Sequence, residues 1–236
     1  MPDLEIPLRP MRILALMALL PPLTIARADD PYRVKTADAA PPTERSEPFR
    51  KLLAERCVQF LTGGDKPTLE VWFRKEAPGD AVEVQIMNGL TYREIPETTV
   101  LGALRVAGDF TDYRRQKIAP GVYTLRLAFQ PPTDDHQGSA PYTEFLLACP
   151  AGEDKTPDPI EHKALEELSI KTTGKHPAVF LLFPGKNTSD EPKLVEKGGG
   201  CWVLMAKQDV RVGDKKTVMG IGMTLIGASP KAPEKR

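Results

Sequence analysis

The chain has 236 residues, 41% of them hydrophobic and 27% charged, which is enough apolar material for a sizeable core in one large domain or two small ones. Lysine plus arginine and aspartate plus glutamate both number 32, so no basic field exists to attract a phosphate backbone, and nucleic-acid binding loses its main source of affinity. The 24 prolines cluster at the ends and in loops, a pattern of β structure with many turns.

Residues 11–28, "MRILALMALLPPLTIARA", predict a cleaved secretory leader. Arg12 supplies the positive charge, Ile13 to Leu20 form the short apolar run, and Ala26-Arg27-Ala28 has the small-x-small form of a cleavage site. Pro21-Pro22 interrupts the run well short of the roughly 20 apolar residues of a membrane span. The expected products are a signal peptide over 1–28 and an exported chain, periplasmic or extracellular, with no transmembrane span after cleavage. Either Met1 or Met11 fits as the start, and no cysteine close behind Ala28 offers a lipid anchor.

Residues 29–46, "DDPYRVKTADAAPPTERS", lack an apolar period and predict a disordered arm. Ser46 is placed to cap a short helix through "EPFRKLLAE". "RCVQFL" (56–61), the turn "TGGD" and "TLEVWFRK" (68–75) read as a β-hairpin. In its second arm Leu69, Val71 and Phe73 alternate with Glu70, Trp72 and Arg74, a period of two that predicts one buried and one wet face. "AVEVQIM" (81–87) repeats that alternation, and "TVLGALRV" (99–106) is a further strand candidate. The clearest strand is "GVYTLRLAF" (121–129), with Tyr123, Leu125, Leu127 and Phe129 expected inward and Thr124 and Arg126 outward. "TEFLLAC" (143–149) follows.

Asp158-Pro159-Ile160-Glu161 fits an N-cap, a proline at the first helical position and an acid at the third, so a helix is expected through "IEHKALEELS" with Ala164, Leu165 and Leu168 as its buried stripe. "PAVFLLF" (177–183) is apolar on both faces and reads as a central strand. "GGGCWVLMAKQDVRV" and "TVMGIGMTLIG" form a last hairpin turning at Gly213-Asp214, and the end of the chain, 229–236, predicts a disordered tail. About nine strands with one or two short helices imply a mainly β fold, an antiparallel β-sandwich, as a single domain over 47–228.

Three cysteines, Cys57, Cys149 and Cys201, leave at least one thiol unpaired within the chain; Cys149 and Cys201 end and begin strands and could meet, or all three pack as small hydrophobes. No motif calls for a cofactor. There is no G-x-S-x-G, and "GIG" (220–222) lacks the third glycine and following helix of a dinucleotide fingerprint, which leaves a bulge or a close backbone approach.

Two places carry candidate chemistry. Asp134, Asp135 and His136 stand side by side in the loop 130–142, where a solvated turn is the expectation. The alternative is a metal site or a metal-dependent active site completed by His176 or His162, since a metal needs three or four ligands from separate elements. Trp72, sharing a strand face with Glu70 and Arg74, is a candidate ligand surface, and an exposed tryptophan there would suit a carbohydrate.

The segment "RRQKIAPGVYTLRLAF" resembles the turn-then-strand signature of secreted β-sandwich modules, including transthyretin-like and carboxypeptidase-regulatory-like ones. The order "PGVYTLR…DDHQGSAPYTEFLLACPA" and the later "HPAVFLLFP" is similar to a family of exported bacterial proteins of unknown function, of the planctomycete type, over roughly residues 55–227. That resemblance implies export and a β fold, and it assigns no catalytic residues. The functional expectation is an exported, non-enzymatic β-sandwich protein with a binding or cell-envelope role. The partner is unknown, a glycan or an envelope component.

Overall fold

The computed structural model describes residues 31–131, 138–185 and 189–232. The described chain is mainly β. In order it runs β1 (Tyr32–Asp38), α1 (Glu47–Leu52), β2 (Arg56–Thr62), β3 (Leu69–Phe73), β4 (Ala77–Gly79), α2 (Glu83–Asn88), a 3-10 turn (Tyr92–Glu94), β5 (Val100–Val106), β6 (Phe110–Thr111) and β7 (Lys117–Ile118). It continues with β8 (Gly121–Phe129), β9 (Glu144–Pro150), α3 (His162–Thr173), β10 (Ala178–Gly185), β11 (Lys193–Glu196), β12 (Trp202–Val212) and β13 (Lys215–Ile226).

The strands expected to divide into two antiparallel layers instead form one continuous mixed sheet, in the order β1-β2-β3-β5-β8-β9-β10-β13-β12-β11, with β4 added parallel to β12, while the short β6 and β7 pair separately. The sheet curls until its edges approach each other. The Tyr32 ring of β1 meets the Trp202 ring edge-on at 5.4 Å, and Arg56 of β2 donates to the Asp190 carbonyl at 2.9 Å. Curling lets one sheet enclose its own core, so no second sheet is required.

The interior is filled by alternate residues of each strand: Leu69 and Val71, Leu104 and Val106, Tyr123, Leu125 and Leu127, Phe180 and Leu182, Ile221 and Met223. In β8 the expected inward residues are right, with Leu125 and Leu127 fully buried. Each such aliphatic side chain contributes roughly 1.5–3 kcal/mol by leaving water. Tyr92 reaches this interior from the 3-10 turn, accepting from the Gly222 amide at 2.7 Å and donating to the Phe183 carbonyl at 2.8 Å. The glycines of "GIG" serve close backbone approach. A Cβ on Gly185 would lie 2.1 Å from the Gly220 backbone, so β10 and β13 press together where neither carries a side chain.

The outer face is where the expectations fail. Two further layers cover it. Leu53, at the end of α1, covers Cys57, Trp72 and Ala103; α3 covers Ala128, Leu147 and Cys149. Arg126, expected in solvent, is 0% exposed. Its guanidinium pairs with Asp154 through Nε at 2.9 Å and Nη2 at 2.8 Å, and donates to the carbonyls of Thr98 at 2.8 Å and Asp158 at 3.0 Å, and to that of Thr156. Thr124, also expected outward, is buried and donates to Asp154 Oδ2 at 2.6 Å. Arg45 completes the cluster, donating to the Asp154 carbonyl at 3.1 Å and to that of Ala151, and lies 3.6 Å over the Phe49 ring. Burial lowers the Arg45 pKa.

The segment 29–46 is therefore not a free arm over its described part. Residues 32–38 pair antiparallel with β2 in continuous register, from Tyr32 opposite Thr62 to Asp38 opposite Arg56. Backbone hydrogen bonds to an open strand edge replace the missing apolar period. The sequence 81–87, expected as a strand, instead enters α2. No neighbouring strand edge receives it, the Val82 amide is capped by Gln85 Oε1 at 2.8 Å, and Val82, Val84 and Met87 stay exposed while Ile86 turns to the core. The cap of α3 is Glu161, three residues later than expected, because the chain from Asp154 to Asp158 is wrapped on Arg126. Its buried residues are Leu165 and Ser169, while Ala164 is exposed. The tail is anchored at Ser229, whose amide donates to the Tyr113 carbonyl at 2.8 Å; residues 233–236 lie outside the described chain. All three cysteines are free thiols: Cys149 sits under α3, whereas Cys201 packs against Gly227 beside the β12–β13 hairpin.

Candidate functional site

Helix α3 is fixed across β9 and β10 by its polar residues. Ser169 Oγ donates to the Ala148 carbonyl at 2.9 Å and accepts from the Ala178 amide at 3.0 Å, and Thr172 donates to the same Ala148 carbonyl at 2.8 Å. These bonds sit where Ala148 and Ala178 pair. Beside this attachment, between α3, the outer face of β8–β10 and the Asp112–Gln116 turn, a cavity of about 250 Å³ opens. Ala128, Phe145, Leu147 and Val179 form its sheet wall, and Ile170 lines it from the helix.

Its polar groups lie at two ends. At the start of α3, His162 Nδ1 is 2.9 Å from Glu97 Oε1, which also accepts the Phe129 amide at 2.8 Å. His162 Nε2 faces Glu166 Oε1 at 3.3 Å, one helical turn on, without hydrogen-bond alignment. The imidazole is thus bracketed by two carboxylates. At the other end stand Tyr113, Arg114, His176 and Pro177. The turn holding Arg114 is built on buried Asp112, whose carboxylate accepts the amides of Arg114, Gln116 and Val179 at 2.8–3.0 Å and Gln116 Nε2 at 2.8 Å. Burial raises the Asp112 pKa against the pull of those donors, and it raises that of Tyr113 as well.

Asp134, Asp135 and His136 lie outside the described residues, although the flanking Pro131 and Ser139 line this cavity. His176 and His162, on separate turns of sequence, are brought to the same cavity. Among the described residues no group of three histidine, cysteine, aspartate or glutamate side chains is placed to hold a metal. Glu97, the carboxylate nearest His162, was not singled out in the sequence, since it lies in an ordinary turn before β5 and only the fold brings it to α3.

The Trp72 surface is closed. Trp72 is 2% exposed, and its indole Nε1 donates to the Ala39 carbonyl at 2.9 Å beneath the chain following β1. Glu70 and Arg74 do share its strand face. Glu70 accepts from Gln59 at 2.8 Å, and Arg74 Nε donates to the Glu76 carbonyl at 2.8 Å. A tryptophan roofed in this way offers no stacking platform for a sugar. Arg74 instead borders a second cavity of about 220 Å³ between β2–β3 and β12. Its basic groups have partners there: Arg56 the Asp190 carbonyl, Lys75 Glu55 at 3.8 Å, and Lys207 the carboxylates of Asp190 and Asp209. The cavity beneath α3 is more apolar and is lined by a few polar groups among apolar ones, the arrangement of small-molecule sites. Compared with protein-family models, curated proteins and solved structures, the chain finds no match.

Proposed function

We propose that the protein is an exported binding protein that holds a small, largely apolar molecule between α3 and the outer face of β8–β10. The observation that carries this reading is the cavity itself: a mainly apolar sheet wall faced by Ile170 of the helix, with a small number of polar groups around it. The curled sheet wraps its core as a β-sandwich does, and α3 roofs the ligand outside that core. Export with cleavage after Ala28 is supported by the leader-like segment in the sequence. No helix among the described residues is long and apolar enough to cross a membrane. Kinship with planctomycete-type exported proteins stands on the sequence resemblance.

The test uses the chain from Asp29 onward and the neutral dye Nile red, followed by fluorescence and by thermal shift. The expected result is saturable binding that raises the melting temperature, lost in Val179→Trp, which fills the cavity from the sheet wall. Absence of dye binding to the folded protein would overturn the reading. A second reading, metal-dependent chemistry, draws on His162 and His176 lining one cavity, although with Glu166 they make no metal-holding group among the described residues. Calorimetric titration with zinc, calcium and manganese decides it: stoichiometric binding abolished by His176→Ala would put that reading first.

A further inference from the structure

The charged groups around the α3 cavity are not equally engaged. At the start of the helix, both acids face His162, and Glu97 also holds the Phe129 amide. A cationic ligand there would have to displace the imidazole. At the far end Arg114 is half-buried, and among the described residues its guanidinium has no acceptor. Asp112, next but one in sequence, does not supply one, because its two oxygens already take four N–H donors. Beside Arg114, the largely buried Tyr113 lines the same cavity.

Resting on the binding reading above, we infer that the cavity takes an apolar molecule ending in a carboxylate, with Arg114 as its counter-ion. A guanidinium presents a planar fork that matches the two oxygens of a carboxylate. The half-buried position of Arg114 beside apolar walls reduces its access to water, which strengthens the contact relative to a fully exposed pair. The ligand's tail would lie along Ile170, Leu147 and Ala128 toward His162.

The experiment compares three probes of equal tail length, octanoate, octanol and octylamine, by calorimetry at neutral pH. Octanoate is expected to bind at least about tenfold more tightly than octanol, the ratio that one charge-assisted hydrogen bond supplies. Arg114→Gln should erase that ratio. Arg114→Lys, which keeps the charge without the fork, should retain a smaller preference for the acid. Octanol binding as tightly as octanoate in the wild type would overturn the carboxylate assignment and leave the binding reading standing. Octylamine binding most tightly would move the polar end to Glu166 and also overturn it. Failure of all three probes, together with failure of Nile red, would remove the binding reading itself. The wild-type comparison decides the matter even if neither Arg114 variant folds.

Discussion

Replacing Asp154 with alanine strands the Arg126 guanidinium in a place without water. Asp154 accepts three side-chain hydrogen bonds, one from Thr124 and two from Arg126, and the ion pair is 0% and 2% exposed on its two sides. What remains around the cation after the change are the carbonyls of Thr98, Thr156 and Asp158, which solvate it but do not neutralise it. Removing one partner of a buried pair costs about 3–5 kcal/mol, a large share of the roughly 5–15 kcal/mol that keeps a domain folded. With a urea slope of about 2–3 kcal/mol per molar, the midpoint should fall by roughly 1–2 M. Arg126→Met combined with Asp154→Leu removes both charges together, and its cost should be less than the sum of the two single changes, since the two groups interact directly. The assay is urea unfolding followed by circular dichroism, with the slope checked for constancy. An Asp154→Ala midpoint equivalent to less than about 0.5 kcal/mol, the range of an ordinary surface change, would refute the buried pair.

Gly185→Ala should destabilise by about 1–3 kcal/mol or more, because its new methyl meets the Gly220 backbone at 2.1 Å, while Gly152→Ala, facing open space, should be silent in the same melts. The Cys57 thiol, pushed up to about 11 by burial and by Glu70, should resist iodoacetamide at pH 8 in the folded protein and react once unfolded. Its folded pKa is the higher one, so its stabilising contribution is complete below about pH 8.5 and is lost as pH rises through about 11; Cys57→Ala should flatten that part of a melting-temperature profile. Glu76, held below the usual carboxylate range by its bidentate bond to Arg211 at 2.6 and 3.0 Å, contributes stability above the ordinary glutamate pKa and loses it as pH falls through its lowered value. Glu76→Gln should remove that part of the acid limb.

Period-two alternation was a sound guide to which residues face together in β8 and β3, which present one face to a single enclosed core, and it misled at 81–87, which enters α2. Alternation says which residues face together, and it is silent on what covers the other face. Arg126 and Trp72 show the gap: both point away from the core, and both are buried by segments distant in sequence, Asp154–Asp158 over one and Leu53 with Ala39 over the other. The strand β1 was illegible for the opposite reason. Its residues are mostly exposed, so it owes its conformation to backbone pairing, which leaves no hydrophobic signature. The α3 cavity could be guessed only in part. His176 was a candidate from its chemistry, whereas Glu97 and Arg114 become neighbours of α3 only through the turn before β5 and the β6–β7 turn.

The near closure of the sheet also governs how the chain reaches its final form. Its seam joins the earliest segments to the latest: β4 lies along β12, and Glu76 meets Arg211 across 135 residues of sequence. Tyr92 likewise waits for Gly222, 130 residues downstream. Contacts of such separation incur the entropy of closing long loops before they contribute stability, which makes folding slow. A chain growing from its amino end can pair β1, β2, β3, β5, β8 and β9 while their inner face still lies open to solvent. Only after β12 and β13 have emerged can that face be sealed, so any truncation within the last hairpin should leave a sticky open sheet in place of a smaller stable protein.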